Sequence, residues 1–253
     1  MRRLKKTSFS ATLVLVVLLA VAYLAWPNKP AAPTSSKNSS ASKAASNVGF
    51  NKQQYSTTEP TSIWVVVNKT HPLAPIDYAP ADLVVPSVPL RVPGNESMQL
   101  RAPTATALEQ MFGAAKADGL VLKISSGYRS YNYQVGLYNG YVSSEGQAAA
   151  DSQSARPGHS EHQTGLAVDI EPDNRKCELN ACFADMPEGR WLATNSYKYG
   201  FILRYLPDKV AVTGYESEPW HFRYIGQALA GQMHSSGITT LEEFFGVSGG
   251  QSY

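Results

Sequence analysis

Apolar and polar positions divide the chain into three regimes. From Phe9 to Trp26 the residues are almost continuously apolar, and 18 positions pass without a charge. From Pro27 to about Gly49 the sequence is Pro, Ala, Ser, Lys and Asn with almost nothing to bury, the composition of a disordered tether. From near Tyr55 onward, apolar residues recur at the spacings of secondary structure. Ile63 to Lys69 is a short apolar run and a strand candidate. Asp77 to Pro93, with Pro80, Pro86, Pro89 and Pro93, is irregular. Leu108, Met111, Phe112 and Ala115 return at three and four, which predicts a helix over Thr104 to Ala117, ended by Gly119. Leu120 to Ser126 fits a buried strand. Tyr131, Gln134, Val135 and Tyr138 predict a second helix to about Ser143, with Ser130 as its cap.

Further along, Ala167 to Glu171 alternates. Leu166, Val168 and Ile170 share one face, and Ala167, Asp169 and Glu171 the other. Pro187 to Lys198 is a third helix, opened by proline and closed by Gly200. Phe201 to Leu206 and Trp220 to Ile225 complete the predicted strands. Helices and strands come mixed, without regular βαβ alternation. This predicts an α+β fold, a single domain whose central, largely antiparallel sheet is flanked by helices. The expected layout is 1–26 signal anchor or signal peptide, 27–54 linker and 55–253 folded domain.

The N-terminus changes the picture from a fold to a location. Arg2, Arg3, Lys5 and Lys6 precede the apolar run, so the chain is expected to be exported. Ala20-Val21-Ala22 matches a cleavage site, yet the apolar run continues through Trp26 and is long enough to span a bilayer. A retained membrane anchor is the favoured reading and a cleaved signal peptide the alternative. No cysteine lies at the end of this segment, which excludes a lipoprotein. Cys177 and Cys182, in a short polar insert, fit a small-loop disulfide in an exported domain. As a metal pair they lack further Cys or His partners nearby. A net charge of +2 with no basic, aromatic-studded stripe gives no nucleic-acid signal.

Candidate chemistry concentrates between Ser154 and Glu171 and at Glu218-Pro219-Trp220-His221. A catalytic zinc site needs about three His, Asp or Glu ligands, an open position, and a carboxylate that moves the proton. His162, Asp169 and His221 can supply the ligands and Glu218 the base. Gly165 lets the chain turn so that His162 and Asp169 can converge. Alternation through Trp220, Phe222 and Tyr224 puts His221 on the opposite strand face with Arg223. Pro219 suggests a bend that swings Glu218 round to the same point. The pattern is not H-E-x-x-H, so a helical metalloprotease site is not indicated. His71 and His234 are read as ordinary polar residues, and so is His159 unless it supports the site or meets substrate.

The run Ser160-x-His162-x-Thr164-Gly165-x-Ala167-x-Asp169, with Glu218-x-x-His221, resembles the VanY-type D-alanyl-D-alanine carboxypeptidases. These share a zinc-peptidase group with D-Ala-D-Ala dipeptidases, L,D-carboxypeptidases of the LdcB type and the hedgehog domain. Ser126-Gly127-Tyr128-Arg129-Ser130-Tyr131 with Gln134, Tyr199 to Tyr205, Gly214 to Tyr224 and the Cys177/Cys182 insert carry the same likeness, which spans about Ile63 to Phe245. The resemblance implies one Zn2+ held by His162, Asp169 and His221, Glu218 as base, and Arg129 steadying the scissile carbonyl oxygen. Ser125, Ser126, Gln134 and Ser160 become candidates to grip the terminal carboxylate and amide. The implied partner is a peptidoglycan stem peptide, met by a monomer. Removal of the last D-alanine from a pentapeptide is the expected reaction. Trimming of the tetrapeptide by an L,D-carboxypeptidase, cross-link cutting and a non-catalytic cell-wall-binding role are the alternatives. The loops Asn68 to Pro75 and Tyr138 to Arg156 are expected to line the cleft.

Overall fold

A computed structural model describes residues 50–253. In chain order the elements are β1 (Leu83–Val84), β2 (Leu100–Arg101), α1 (Ala102–Ala117), β3 (Leu122–Ser126), α2 (Tyr131–Glu145), α3 (Gln147–Gln153), β4 (Ala167–Pro172), α4 (Pro187–Asn195), β5 (Phe201–Tyr205), α5 (Val210–Thr213), β6 (Glu218–Tyr224), α6 (Gln227–Ser236) and α7 (Leu241–Phe245). The segments 1–26 and most of 27–54 lie outside the described residues. At the boundary, Phe50 stacks on Trp64 with ring centroids 5.6 Å apart, so ordered packing begins ahead of Tyr55. Among the described residues, no helix is long and apolar enough to cross a membrane.

Four strands form one sheet in the order β3-β4-β6-β5, every neighbouring pair antiparallel. The predicted α+β class with an antiparallel sheet therefore holds. Val168, Ile170 and Phe222 pack from one sheet face against Leu108, Met111, Phe112 and Ala115 of α1. The helical spacing read from the sequence is thus the core face of α1. Pro103 lies in its first turn, where a missing N–H costs nothing. The opposite sheet face, built on Ala167, Asp169 and Glu171, is buried as well. Period-two alternation marks it as polar, but the chain covers it, so each polar group there must find a partner.

Ser130 caps α2 as expected. Its Oγ accepts from Tyr133 N at 3.3 Å and donates to Glu96 Oε1 at 3.0 Å. Ser130→Ala is expected to lower stability by about 1 kcal/mol, measured as a shift in urea midpoint at constant slope. The predicted third helix is shorter than Pro187 to Lys198. It stops at Asn195, and Ser196–Tyr199 tightens into a 3-10 turn before left-handed Gly200.

The Ile63 to Lys69 strand is not formed. Trp64 to Val67 are buried, but outside any sheet. Their carbonyls are met in another way: Arg223 Nη2 donates to Val65 O at 2.8 Å and to Ile63 O at 3.2 Å. A buried arginine fork replaces the strand partner that the apolar run leads one to expect.

Candidate active site

Sheet register sets out the first part of the site. Asp169 in β4 lies opposite Ser126 of β3 on one side and His221 of β6 on the other. His162 enters from the 3-10 turn Glu161–Thr164, which Gly165 ends at φ +65°. A Cβ on Gly165 would come 2.9 Å from Arg101 Cγ, so both conformation and space require glycine there. His221 Nδ1 lies 3.3 Å from Asp169 Oδ1, and His162 Nε2 lies 3.3 Å from Asp169 Oδ2. One ligand atom from each of the three residues fits within 4.8 Å of the others, the geometry of a single metal centre.

Hydrogen bonding fixes which atoms face the centre. Gly127 O, which can only accept, takes a bond from His162 Nδ1 at 2.6 Å. His162 Nε2 is therefore left as a lone pair. It is buried without a hydrogen-bond partner, and so is Asp169 Oδ1. Two orphaned acceptors aimed at one point are costly unless a cation fills it. The donor set of two imidazoles and a carboxylate suits zinc. No residue larger than glycine fits at 127, because its Cβ would stand 2.5 Å from Gln99 O.

The predicted bend at Pro219 is a shift in the β5–β6 register between Leu203↔Phe222 and Tyr205↔Glu218. It brings Glu218 Oε2 to 3.3 Å from His221 Nδ1. Arg129 follows the end of β3. Its Nη2 lies 4.0 Å from Asp169 Oδ2 and its Nη1 donates to Gln134 Oε1 at 3.2 Å. The cleft over these groups has a volume of about 520 Å³, and Ser125, Ser126 and Ser160 line it.

Not every expected residue reaches the cleft. Gln134 is fully buried and does not line it. Its Nε2 is spent on Ala155 O at 2.7 Å and Ser154 Oγ at 3.2 Å, so it braces Arg129 rather than facing substrate. Tyr141, Gln153, Ser154 and Ala155 from the second predicted loop form part of the wall, whereas Asn68 to Pro75 does not reach the cleft. His159 donates to Asn68 O at 2.9 Å and packs edge-on against Tyr253, away from the site. His71 meets Asn68, and His234 stacks on Tyr197. Cys177 and Cys182 are disulfide-bonded with Cα atoms 5.5 Å apart. Within that loop Leu179 lines the cleft, and Glu178 pairs with Arg91, another lining residue.

Sequence reasoning missed Glu161, which is 2 % exposed and lies beneath His221. Its Oε2 is 3.4 Å from His221 Nε2, while Oε1 accepts from Arg204 Nε at 2.9 Å and Arg223 Nη1 at 2.8 Å. Its place beside His162 in the turn was the only available signal.

The site divides its ionisable groups. Burial opposes charge on Asp169, but His162 and His221 outweigh it and hold the carboxyl well below the usual range. Burial pushes Glu218 up. Burial, with the Arg129 charge, lowers His162 to about 4. His221 is also penalised by burial, yet bonds to Asp169, Glu161 and Glu218 raise it well above an ordinary imidazole. These shifts oppose each other in the metal-free domain. A lowered His162 leaves the unfolded chain binding the extra proton between about 4 and 6.5, so stability falls as pH drops through that window. A raised His221 contributes stability that is complete below about 6.5 and is lost as pH rises through its folded value. Glu218, raised by burial, opposes the His162 gain as pH climbs above 4.5, so only the region above about 6.5 has a single sign, and there the melting temperature of the chelated protein is expected to fall as pH rises. Calorimetry from pH 5 to 8 checks this, and a profile rising monotonically to pH 8 contradicts it.

Related proteins of known family share this arrangement of sequence and fold. Residues 97–227 match the family model VanY: D-alanyl-D-alanine carboxypeptidase. The putative carboxypeptidase YodJ of Bacillus subtilis (strain 168) is 44% identical over 189 residues, 74% of this chain and 68% of that protein. The solved LD-carboxypeptidase LdcB is 43% identical with a TM-score of 0.70, covering 75% of this chain and 88% of that one. A glutamate-to-alanine mutant of the vancomycin resistance D,D-pentapeptidase VanY, solved in complex with Zn(II), is 35% identical with a TM-score of 0.58, covering 73% and 98%. With the metal-site residues, the neighbouring glutamate and arginine, and the antiparallel sheet in place, the chain belongs to the VanY family of D-alanyl-D-alanine carboxypeptidases.

Proposed function

We propose that this protein is a zinc-dependent D,D-carboxypeptidase that removes the terminal D-alanine from peptidoglycan stem peptides, turning pentapeptide into tetrapeptide. The observation that carries this reading is the convergence of His162, Asp169 and His221 within 4.8 Å beneath a cleft that Glu218 and Arg129 also line. His162 through Nε2, Asp169, and His221 through Nδ1 would hold one zinc ion. When bound, zinc supplies a Lewis acid for the scissile carbonyl and lowers the pKa of water.

The remaining chemistry belongs to side chains. Glu218, pushed up by burial, takes a proton from the attacking water and returns it to the leaving amine. Arg129 places a permanent cation where negative charge develops on the carbonyl oxygen. Ser125, Ser126 and Ser160 offer hydroxyls along the cleft to the terminal carboxylate and amide. The cationic N-terminus with its apolar run, and a disulfide in the folded domain, support an exported enzyme held at the membrane, with the cleft on the outer side. Protease accessibility on intact cells tests that placement.

One observation favours a second reading, L,D-carboxypeptidase action on the tetrapeptide. The likeness to LdcB, at a TM-score of 0.70, exceeds that to the D,D-pentapeptidase at 0.58. Mass spectrometry of purified pentapeptide and tetrapeptide stems, each with zinc-loaded enzyme and a chelated control, separates the two. Loss of one alanine from the pentapeptide alone supports the D,D assignment. Loss from the tetrapeptide overturns it in favour of L,D. Cleavage that survives chelation removes zinc from the mechanism.

A further inference from the structure

We infer that Glu161 is a positioning residue for the metal centre: it holds His221 with Nε2–H turned down into the protein and Nδ1 turned up to the ion. This rests on the zinc reading above. The two ligand histidines use opposite ring nitrogens and are braced by different chemistry. His162 donates from Nδ1 to a neutral acceptor, Gly127 O, at 2.6 Å. His221 presents Nδ1 toward Asp169, and its other nitrogen faces the Glu161 carboxylate at 3.4 Å. A carboxylate behind an imidazole fixes its tautomer and makes it a stronger ligand.

The surroundings of Glu161 explain why a carboxylate can stand there without water. Arg204 and Arg223 are both fully buried, as is Glu242 to within 2 % exposure. Two acids and two arginines make a neutral set, which is what a dry interior tolerates. Within it the duties differ. Glu242 takes both Arg204 terminal nitrogens, at 3.0 and 2.7 Å. Arg223 spends Nη2 on the Ile63 and Val65 carbonyls. Glu161 Oε1 accepts from Arg204 Nε and Arg223 Nη1, which locks the carboxylate and leaves Oε2 for His221, while Arg223 Nε donates to Tyr224 O. The ligand strand β6 is thus tied to residues far away in sequence. The Arg223 partner of Glu161 is 62 positions distant.

Two experiments test this. Zinc affinity of Glu161→Gln, set by titration against a chelating dye, is expected to fall about 10- to 100-fold, while Glu242→Gln, which disturbs the same ion cluster without touching His221, is expected to fall less than threefold (~0.6 kcal/mol). Wild-type affinity in Glu161→Gln, or an equal loss in both variants, overturns the inference. Should either variant fail to fold, nitrogen-detected NMR of the histidines in the zinc-loaded wild-type protein decides. His221 protonated at Nε2 and His162 at Nδ1 supports the assignment, and His221 protonated at Nδ1 overturns it. A wild-type protein that does not bind zinc at all refutes the zinc reading instead, a separate and distinguishable failure.

Discussion

Glu218→Gln is expected to reduce kcat/KM by about 100- to 10,000-fold and to leave the zinc content unchanged. His162→Ala is expected to lose the metal itself. The division follows from how the site treats its two carboxyls. Asp169, on the inner strand β4, is fixed between His162 and His221, and its carboxyl is held well below the usual range. A group that stays ionised and faces the centre is suited to be a ligand. Glu218 stands at the edge of the cleft with its side chain 20% exposed, and burial pushes it up. A carboxyl that takes up a proton more readily is suited to carry it from water to the leaving amine. Carboxyls that share a site but differ in environment divide roles in this way. Glutamine keeps the volume of Glu218 and removes its basicity, so folding and the ligand set should survive. Metal analysis alongside steady-state kinetics is the check. A zinc-free Glu218→Gln protein would move Glu218 into the ligand set and sink the role division.

The ligands were legible in the sequence because their spacing is local or tied to one strand. His162 and Asp169 are separated by a single turn at Gly165, and alternation alone put His221 and Arg223 on the face opposite Phe222. The antiparallel sheet was legible because helices and strands come mixed, without the regular βαβ alternation that a parallel sheet requires. What was not legible depends on distant partners. Glu161 reads as a charge in a turn, the position of a solvated group. Only contact with Arg204, 43 residues on, and Arg223, 62 residues on, makes it a buried member of the site. Ile63 to Lys69 carries the apolar content of a strand, but among the described residues no strand pairs with it, and Arg223 takes two of its carbonyls, Ile63 O and Val65 O. Gln134 fits a helix face and a polar cleft equally well from spacing. The Ser154 and Ala155 contacts that turn it inward lie about 20 positions away.

The second large effect falls on Arg129, and its support makes the prediction specific. Arg129→Ala is expected to lower kcat by about 100- to 1,000-fold, the loss typical of a single oxyanion donor, with zinc retained. The guanidinium is placed from two sides. Its backbone N–H bonds to His162 O at 3.2 Å, and Gln134 Oε1 holds Nη1 at 3.2 Å. Nε is buried without a partner, so a donor is kept in reserve rather than spent on the protein. Asp169 Oδ2, at 4.0 Å, is too far to take a hydrogen bond but near enough to keep the cation over the ligand set. Arg129→Lys should recover only part of the loss, because an ammonium keeps the charge but not the planar fork that Gln134 holds. Gln134→Ala should give a smaller fall than Arg129→Ala, since it loosens the arginine without removing it. A double variant no slower than Arg129→Ala alone would show that Gln134 acts through Arg129. Additive losses would instead put Gln134 in direct contact with the substrate, as the sequence alone suggests.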